Sequence, residues 1–183
     1  YEVEKVEFVD AKIYKKEIKS LYRTAFPANE RAPLFVLFHR TRNERDSFCA
    51  VVDKGEFVGL VYTIKSDKMV YVFFLAVNES KRGNGYGTKI LDMVKTQYSD
   101  RGVALMIEDT TVTDADNYEE RINRLGFYKK NGFKQLHIKI NEAGVDYELL
   151  GTIENITLDD FFEIMKGFLG GTLFKYIYRK MKL

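Results

Sequence analysis

Arg82-Gly83-Asn84-Gly85-Tyr86-Gly87 is the stretch whose residue types and spacing best suit chemistry. It follows an apolar run and opens a helical pattern. Glycines there let backbone N–H groups approach an anion, and a helix N-terminus adds partial positive charge. The natural guest is a diphosphate. A P-loop needs Gly-Lys-Ser/Thr after four intervening residues, and the order Gly87-Thr88-Lys89 fails that test. A dinucleotide fingerprint needs G-x-G-x-x-G, whereas this loop reads G-x-G-x-G. Glu108 lies where such a fold keeps its ribose acid, but the preceding strands form a meander instead of a βαβ series.

Other chemistries are poorly served. The chain has one cysteine, Cys49, and two histidines, His39 and His137, so a disulfide framework, a zinc cluster and a multi-histidine metal site are not expected. The 183 residues carry 29 Lys+Arg against 27 Asp+Glu, a net charge of +2, which does not suggest nucleic-acid binding by bulk charge and leaves only a local patch open. No apolar run approaches the roughly 20 residues of a membrane span, and no leader pattern is recognised, so a cytoplasmic protein is expected. Hydrophobic residues at 45% supply a core for one domain over 1–183, with its body in 1–152 and a helix plus basic tail in 153–183. Lys166, Lys175, Arg179, Lys180 and Lys182 in that tail fit either solvated lysines on a docked helix or an amphipathic surface.

The elements that must position the loop follow from periodicity. Residues 2–9 read as a strand and 11–26 as a helix ended by Pro27. LFVLFHRTRN reads as a second helix. SFCAVVD, EFVGLVYTIK and MVYVFFLAV read as antiparallel strands, the last apolar enough for the middle of a sheet. The helix after the loop carries Ile90, Leu91 and Val94 on one stripe, and VALMIED is a buried strand beyond it. A helix over 118–130, a hairpin around 141–144 and a final helix with a Thr157/Asp160 capping box complete the order. The fold class is α+β: a mixed, mostly antiparallel sheet of about seven strands with helices on both faces.

The segment FLAVNESKRGNGYGTKIL resembles the acetyl-CoA-binding motif of GNAT-type N-acetyltransferases, Arg/Gln-x-x-Gly-x-Gly/Ala, with Arg82, Gly85 and Gly87 in the three specified places. RLGFYKKNGF resembles that family's later motif, a Tyr four residues before Gly-Phe: Tyr128, Gly132 and Phe133. The resemblance implies a splayed central strand pair and direct acetyl transfer from acetyl-CoA to a primary amine, on a small molecule or a peptide, without a metal. It implies that amides of Gly83, Asn84, Gly85, Tyr86, Gly87 and Thr88, with Arg82, hold the pyrophosphate. It also implies that the backbone of Leu75, Ala76 and Val77 pairs with the pantetheine arm, and that Tyr128 protonates the leaving thiolate, although a core tyrosine would look the same in sequence. An alkylamine of pKa about 10.4 costs roughly 4–5 kcal/mol to deprotonate at pH 7, so a carboxylate should lie near. Glu108 is the first candidate and Glu30 the second; Asp109 should point to the opposite face. Many relatives have Asn and Ala where this chain has Arg121 and Arg124, which fit either an anion contact or a solvated face. A binding or sensor module of the same fold, without transfer, is the alternative, and a homodimer stays open.

Overall fold

The computed structural model describes residues 6–179. Strand β1 (Val6–Asp10) ends where the Asp10 carboxylate accepts a hydrogen bond from Lys12 N at 2.8 Å. Of the strand expected over 2–9, residues 2–5 lie outside the described residues. The helix expected from residue 11 begins as a 3-10 turn (Ala11–Tyr14). Tyr14, at φ −114 and ψ 40, leaves the α region before α1 (Lys15–Ala25) starts. The second helix, α2 (Leu34–Arg40), stops short of Asn43 because the Asn43 side chain instead accepts from Arg45 N and Asp46 N and turns the chain into β2 (Asp46–Asp53). Then come β3 (Glu56–Lys65), β4 (Met69–Val77), α3 (Tyr86–Gln97), β5 (Gly102–Glu108), α4 (Tyr118–Lys130), β6 (Lys134–Glu142), β7 (Val145–Gly151), α5 (Leu158–Leu169) and α6 (Gly171–Ile177). Lys180 and Lys182 of the basic tail lie outside the described residues.

Among the described residues the strands form one seven-stranded sheet in the order β1-β2-β3-β4-β5-β7-β6. The β1–β2, β2–β3, β5–β7 and β6–β7 pairs are antiparallel; β4 and β5 are parallel, over three residue pairs from Met69↔Gly102 to Tyr71↔Ala104. The architecture is the mixed α+β sheet expected from the sequence.

The chain forms two compact units. The first comprises the described residues up to Ile64 together with Val72–Gln97; the second comprises Lys65–Tyr71 and the described residues from Tyr98 onward. In the first, α1 buries Ile18, Leu21 and Tyr22, neighbours on one helical face. Tyr22 meets the Phe74 ring edge-on at 5.0 Å, and α3 buries Ile90, Leu91 and Val94. In the second, Tyr71, Ile107, Leu149 and Phe161 are buried, and the Tyr71 and Phe161 rings meet edge-on at 5.3 Å. The capping box of α5 forms as expected: Thr157 Oγ1 accepts from Asp160 N, and the Asp160 carboxylate accepts from Thr157 N at 2.7 Å.

Candidate functional site

In the first unit, Gly83 and Gly85 take φ of +79° and +77°. An added Cβ would meet nothing within 4 Å at either, so it is backbone conformation and not space that calls for glycine. The Asn84 side chain donates to the Lys81 and Arg82 carbonyls at 3.1 and 3.2 Å, folding the loop from within. Lys89 N donates to Gly85 O at 3.1 Å, which makes Gly85 the residue capping α3. The amides of the first helical turn, Tyr86, Gly87 and Thr88, therefore have no acceptor within the helix. The Tyr86 hydroxyl donates to the Asp53 carboxylate at 2.6 Å, so its side chain is a strut to β2.

Arg82 Nε donates to Val77 O at 3.3 Å, tying the loop to the end of β4. Its side chain lines a cleft of about 600 Å³ shared with Lys16, Ser20 and Phe57. Leu75, Ala76 and Val77 precede it on a strand held close to β3: a Cβ at Gly59 would stand 2.5 Å from Ala76 O. A diphosphate fits this donor set, because amides at a helix start and a guanidinium meet negative charge from one region of one unit. Glu30 is also in this unit, exposed, in the turn closed by its own N–H to Pro27 O at 3.0 Å.

In the second unit, α4 ends in a Schellman motif. Phe133 N donates to Tyr128 O at 3.1 Å, Gly132 N donates to Lys129 O at 3.1 Å, and Gly132 sits at φ +86°. The Tyr128 and Phe133 rings meet at 5.7 Å, the apolar contact that accompanies such a stop. The spacing Tyr-x-x-x-Gly-Phe is thus a helix-termination geometry that fixes where Tyr128 stands. The Tyr128 hydroxyl has no hydrogen-bond partner among the described residues. Burial pushes its pKa above that of an ordinary tyrosine, with Arg124 pulling the other way, so the phenol stays protonated at neutral pH.

Glu108 faces α4. Its Oε1 accepts from Arg121 Nη2 at 3.0 Å, and its Oε2 accepts from Asn117 Nδ2 at 2.9 Å and Arg124 Nη1 at 3.5 Å. Three donors occupy most of its roughly four lone-pair sites. Arg121 also donates to the Asp109 carbonyl at 3.0 Å and to Asn117 at 2.8 Å, so its guanidinium is an α4–β5 clamp and not the solvated side chain a helix face would give. Asp109 turns its carboxylate elsewhere, to Thr111 and to Lys139 Nζ at 2.7 Å. Burial alone would raise its pKa, but those bonds outweigh it and hold the group below the usual carboxylate range.

Sequence reasoning missed Glu148, 1% exposed, which accepts from Gln135 at 3.0 Å, lies 3.6 Å from Lys139 Nζ and keeps Oε1 without a hydrogen-bond partner. An acid between Tyr147 and Leu149 was the available signal. That Lys139 stands directly opposite it depends on register.

The profile of the Acetyltransferase (GNAT) family matches residues 15–133. The chain belongs to the GNAT acetyltransferase family. Three solved structures share the fold. One is a GNAT-family protein from Bacteroides thetaiotaomicron (TM-score 0.69, 20% identity, covering 93% of this chain and 98% of that one). Another is Arabidopsis thaliana NAA60 in complex with acetyl-CoA (0.62, 16%, 81% and 97%). The third is the aminoglycoside 6′-N-acetyltransferase of Enterococcus faecium (0.61, 18%, 84% and 98%). No curated protein matches the chain. For a GNAT acetyltransferase the glycine loop falls inside the matched region, as do Glu30, Glu108 and Tyr128. No group of His, Cys, Asp and Glu among the described residues could hold a metal, and no described helix is long and apolar enough to cross a membrane.

Proposed function

We propose that this GNAT chain is an N-acetyltransferase that moves an acetyl group from acetyl-CoA to a primary amine by direct attack, and that it works in the cytoplasm. Acetyl-CoA supplies an activated thioester. The amides of Gly83 to Thr88, with Arg82, bind its diphosphate. The backbone of Leu75, Ala76 and Val77 holds the pantetheine arm, and an amide there donates to the thioester oxygen as charge develops. The amine nitrogen forms the new C–N bond and the C–S bond breaks. Tyr128 gives its proton to the departing sulfur, and Glu108, directly or through water, takes the proton lost by the amine; Glu30 is the second candidate for that step. The observation that carries this reading is the Tyr128 hydroxyl: protonated, without a partner among the described residues, and fixed by the Schellman stop.

A second reading, an acyl-CoA binder without transfer, draws support from the three donors already on Glu108. Calorimetric titration with acetyl-CoA, NADH as control, combined with thiol-release assays on Tyr128→Phe separates the two. The enzyme reading expects unchanged acetyl-CoA affinity and a loss of roughly 10²–10⁴-fold in turnover. Binding without thiol release from the unaltered chain across an amine panel supports the binder, and absence of acetyl-CoA binding sinks both.

A further inference from the structure

Residues 11–42 carry eight Lys and Arg against two acids, Glu17 and Glu30, so this segment is strongly cationic while the whole chain is only +2. Most of that charge rims one groove. Lys15, Lys19 and Arg23, at spacings of four residues, form a stripe along α1, and Lys12 in the 3-10 turn before it also lines the groove. Arg31 and Arg42 rim the same groove, whose volume is about 1240 Å³, and no carboxylate lines it. None of these six cations makes an ion pair among the described residues; Arg40 alone on the rim is neutralised, by Asp46 at 3.3 Å. Between the cations the groove is lined by apolar residues, half-buried Ala32, Leu34 and Val36 with exposed Ala28 and Pro33, and Phe35 stands 76% exposed.

We propose that this α1–α2 groove docks an acidic, amphipathic protein segment, its carboxylates on the α1 stripe and its apolar side chains on the apolar lining. The inference goes beyond acetyl transfer and needs no acetyl-CoA. Charge complementarity names the sign of the partner, since six cations with no carboxylate among the groove's lining residues repel one another until an anionic chain arrives. The apolar lining names its other face. At a helical rise of about 1.5 Å per residue, Lys15 to Arg23 spans about 12 Å, the length of two helical turns or about four extended residues. A duplex nucleic acid would lay phosphates over that apolar lining and bring the acidic remainder of the chain close to them. A membrane calls for protruding apolar side chains, and here most of them line a concavity.

Fluorescence anisotropy tests this with a labelled peptide alternating Glu/Asp and Leu/Phe. Its controls are an all-acidic peptide without apolar residues, a Lys-for-Glu version, a single-stranded and a duplex oligonucleotide, and vesicles containing phosphatidylserine. The expected result is saturable binding of the amphipathic acidic peptide alone, weakened by salt. K15E/K19E/R23E should reduce it at least about tenfold, with an unchanged melting temperature, and Phe35→Ser should weaken it less. An independent pair on the opposite rim, R31E/R42E, should behave like the α1 triple variant. Equal affinity for the triple variant, indifference to removal of the apolar residues, or tighter binding to an oligonucleotide or to vesicles overturns the proposal. Because the readout is binding in the absence of acetyl-CoA, its failure leaves the transferase reading intact, and the reverse also holds.

Discussion

In the first unit the rim cations of α1 have no carboxylate to meet, and the amides that open α3 have no acceptor within the helix. In the second unit the comparable groups satisfy one another: Glu108 with Arg121, Arg124 and Asn117, and Asp109 with Lys139 and Thr111. Both regions are polar and both carry cations. The difference is where the counter-charge comes from. A group satisfied inside the fold contributes to stability and is costly to remove; a group left unsatisfied is available to a ligand and cheap for the fold to lose. The first unit is therefore where groups stand without an internal counter-charge. In the second, the Tyr128 phenol stands outside that hydrogen-bond network while the helix stop fixes its place.

The sharpest way to break this contrast is Glu108→Gln. If Glu108 takes the amine proton, turnover falls by about 10²-fold or more with acetyl-CoA affinity unchanged. If turnover persists and only stability drops, Glu108 is a positioning residue and Glu30 inherits the proton. Next in size is Arg121→Ala, expected to cost about 1–3 kcal/mol in urea denaturation because it takes the one donor from Glu108 Oε1 and the bond to the Asp109 carbonyl at once, while Asn117 and Arg124 keep Oε2. Lys19→Ala on the unpaired stripe should stay within about 0.5 kcal/mol. Equal losses for the two would erase the distinction between paired and unpaired cations.

Gly85→Ala forces an L-residue to φ +77°, at a cost of about 1–2 kcal/mol. Acetyl-CoA affinity in calorimetry should fall while the urea midpoint of Tyr128→Phe, a second-unit change, stays near that of the unaltered chain.

The smallest effect is set by pH. Burial pushes the Tyr62, Tyr71 and Tyr178 phenols above their ordinary value of about 10. Stability from them is complete below about pH 10 and is lost above it, where the unfolded chain ionises first. Asp109 and Asp160 run the other way: burial would raise them, but their hydrogen bonds from Lys139 and Thr111, and from Lys68 and Thr157, hold them below the carboxylate range. Their contribution is present above about pH 4 and fades as pH falls below it. Thermal melts should be flat from about pH 5 to 9.5 and decline on both sides; a melting temperature still constant at pH 11 would contradict the alkaline arm.

What the sequence by itself determined are the features whose causes are local. The ends of α4, the capping box at Thr157, the glycine loop before α3 and the Tyr128-to-Phe133 helix stop each rest on hydrogen bonds or dihedral limits within a few residues. The 3-10 start before α1, and the bulge in β6 where His137 takes φ +57° without being glycine, left no such mark. Tertiary structure alone decided the pairings. Arg121 reaches Glu108 across 13 positions and Lys139 reaches Asp109 across 30, because strand register and helix facing bring them together. The same holds for what is left over: a cation is free only when no distant carboxylate has been folded against it, and that is a property of the packed chain.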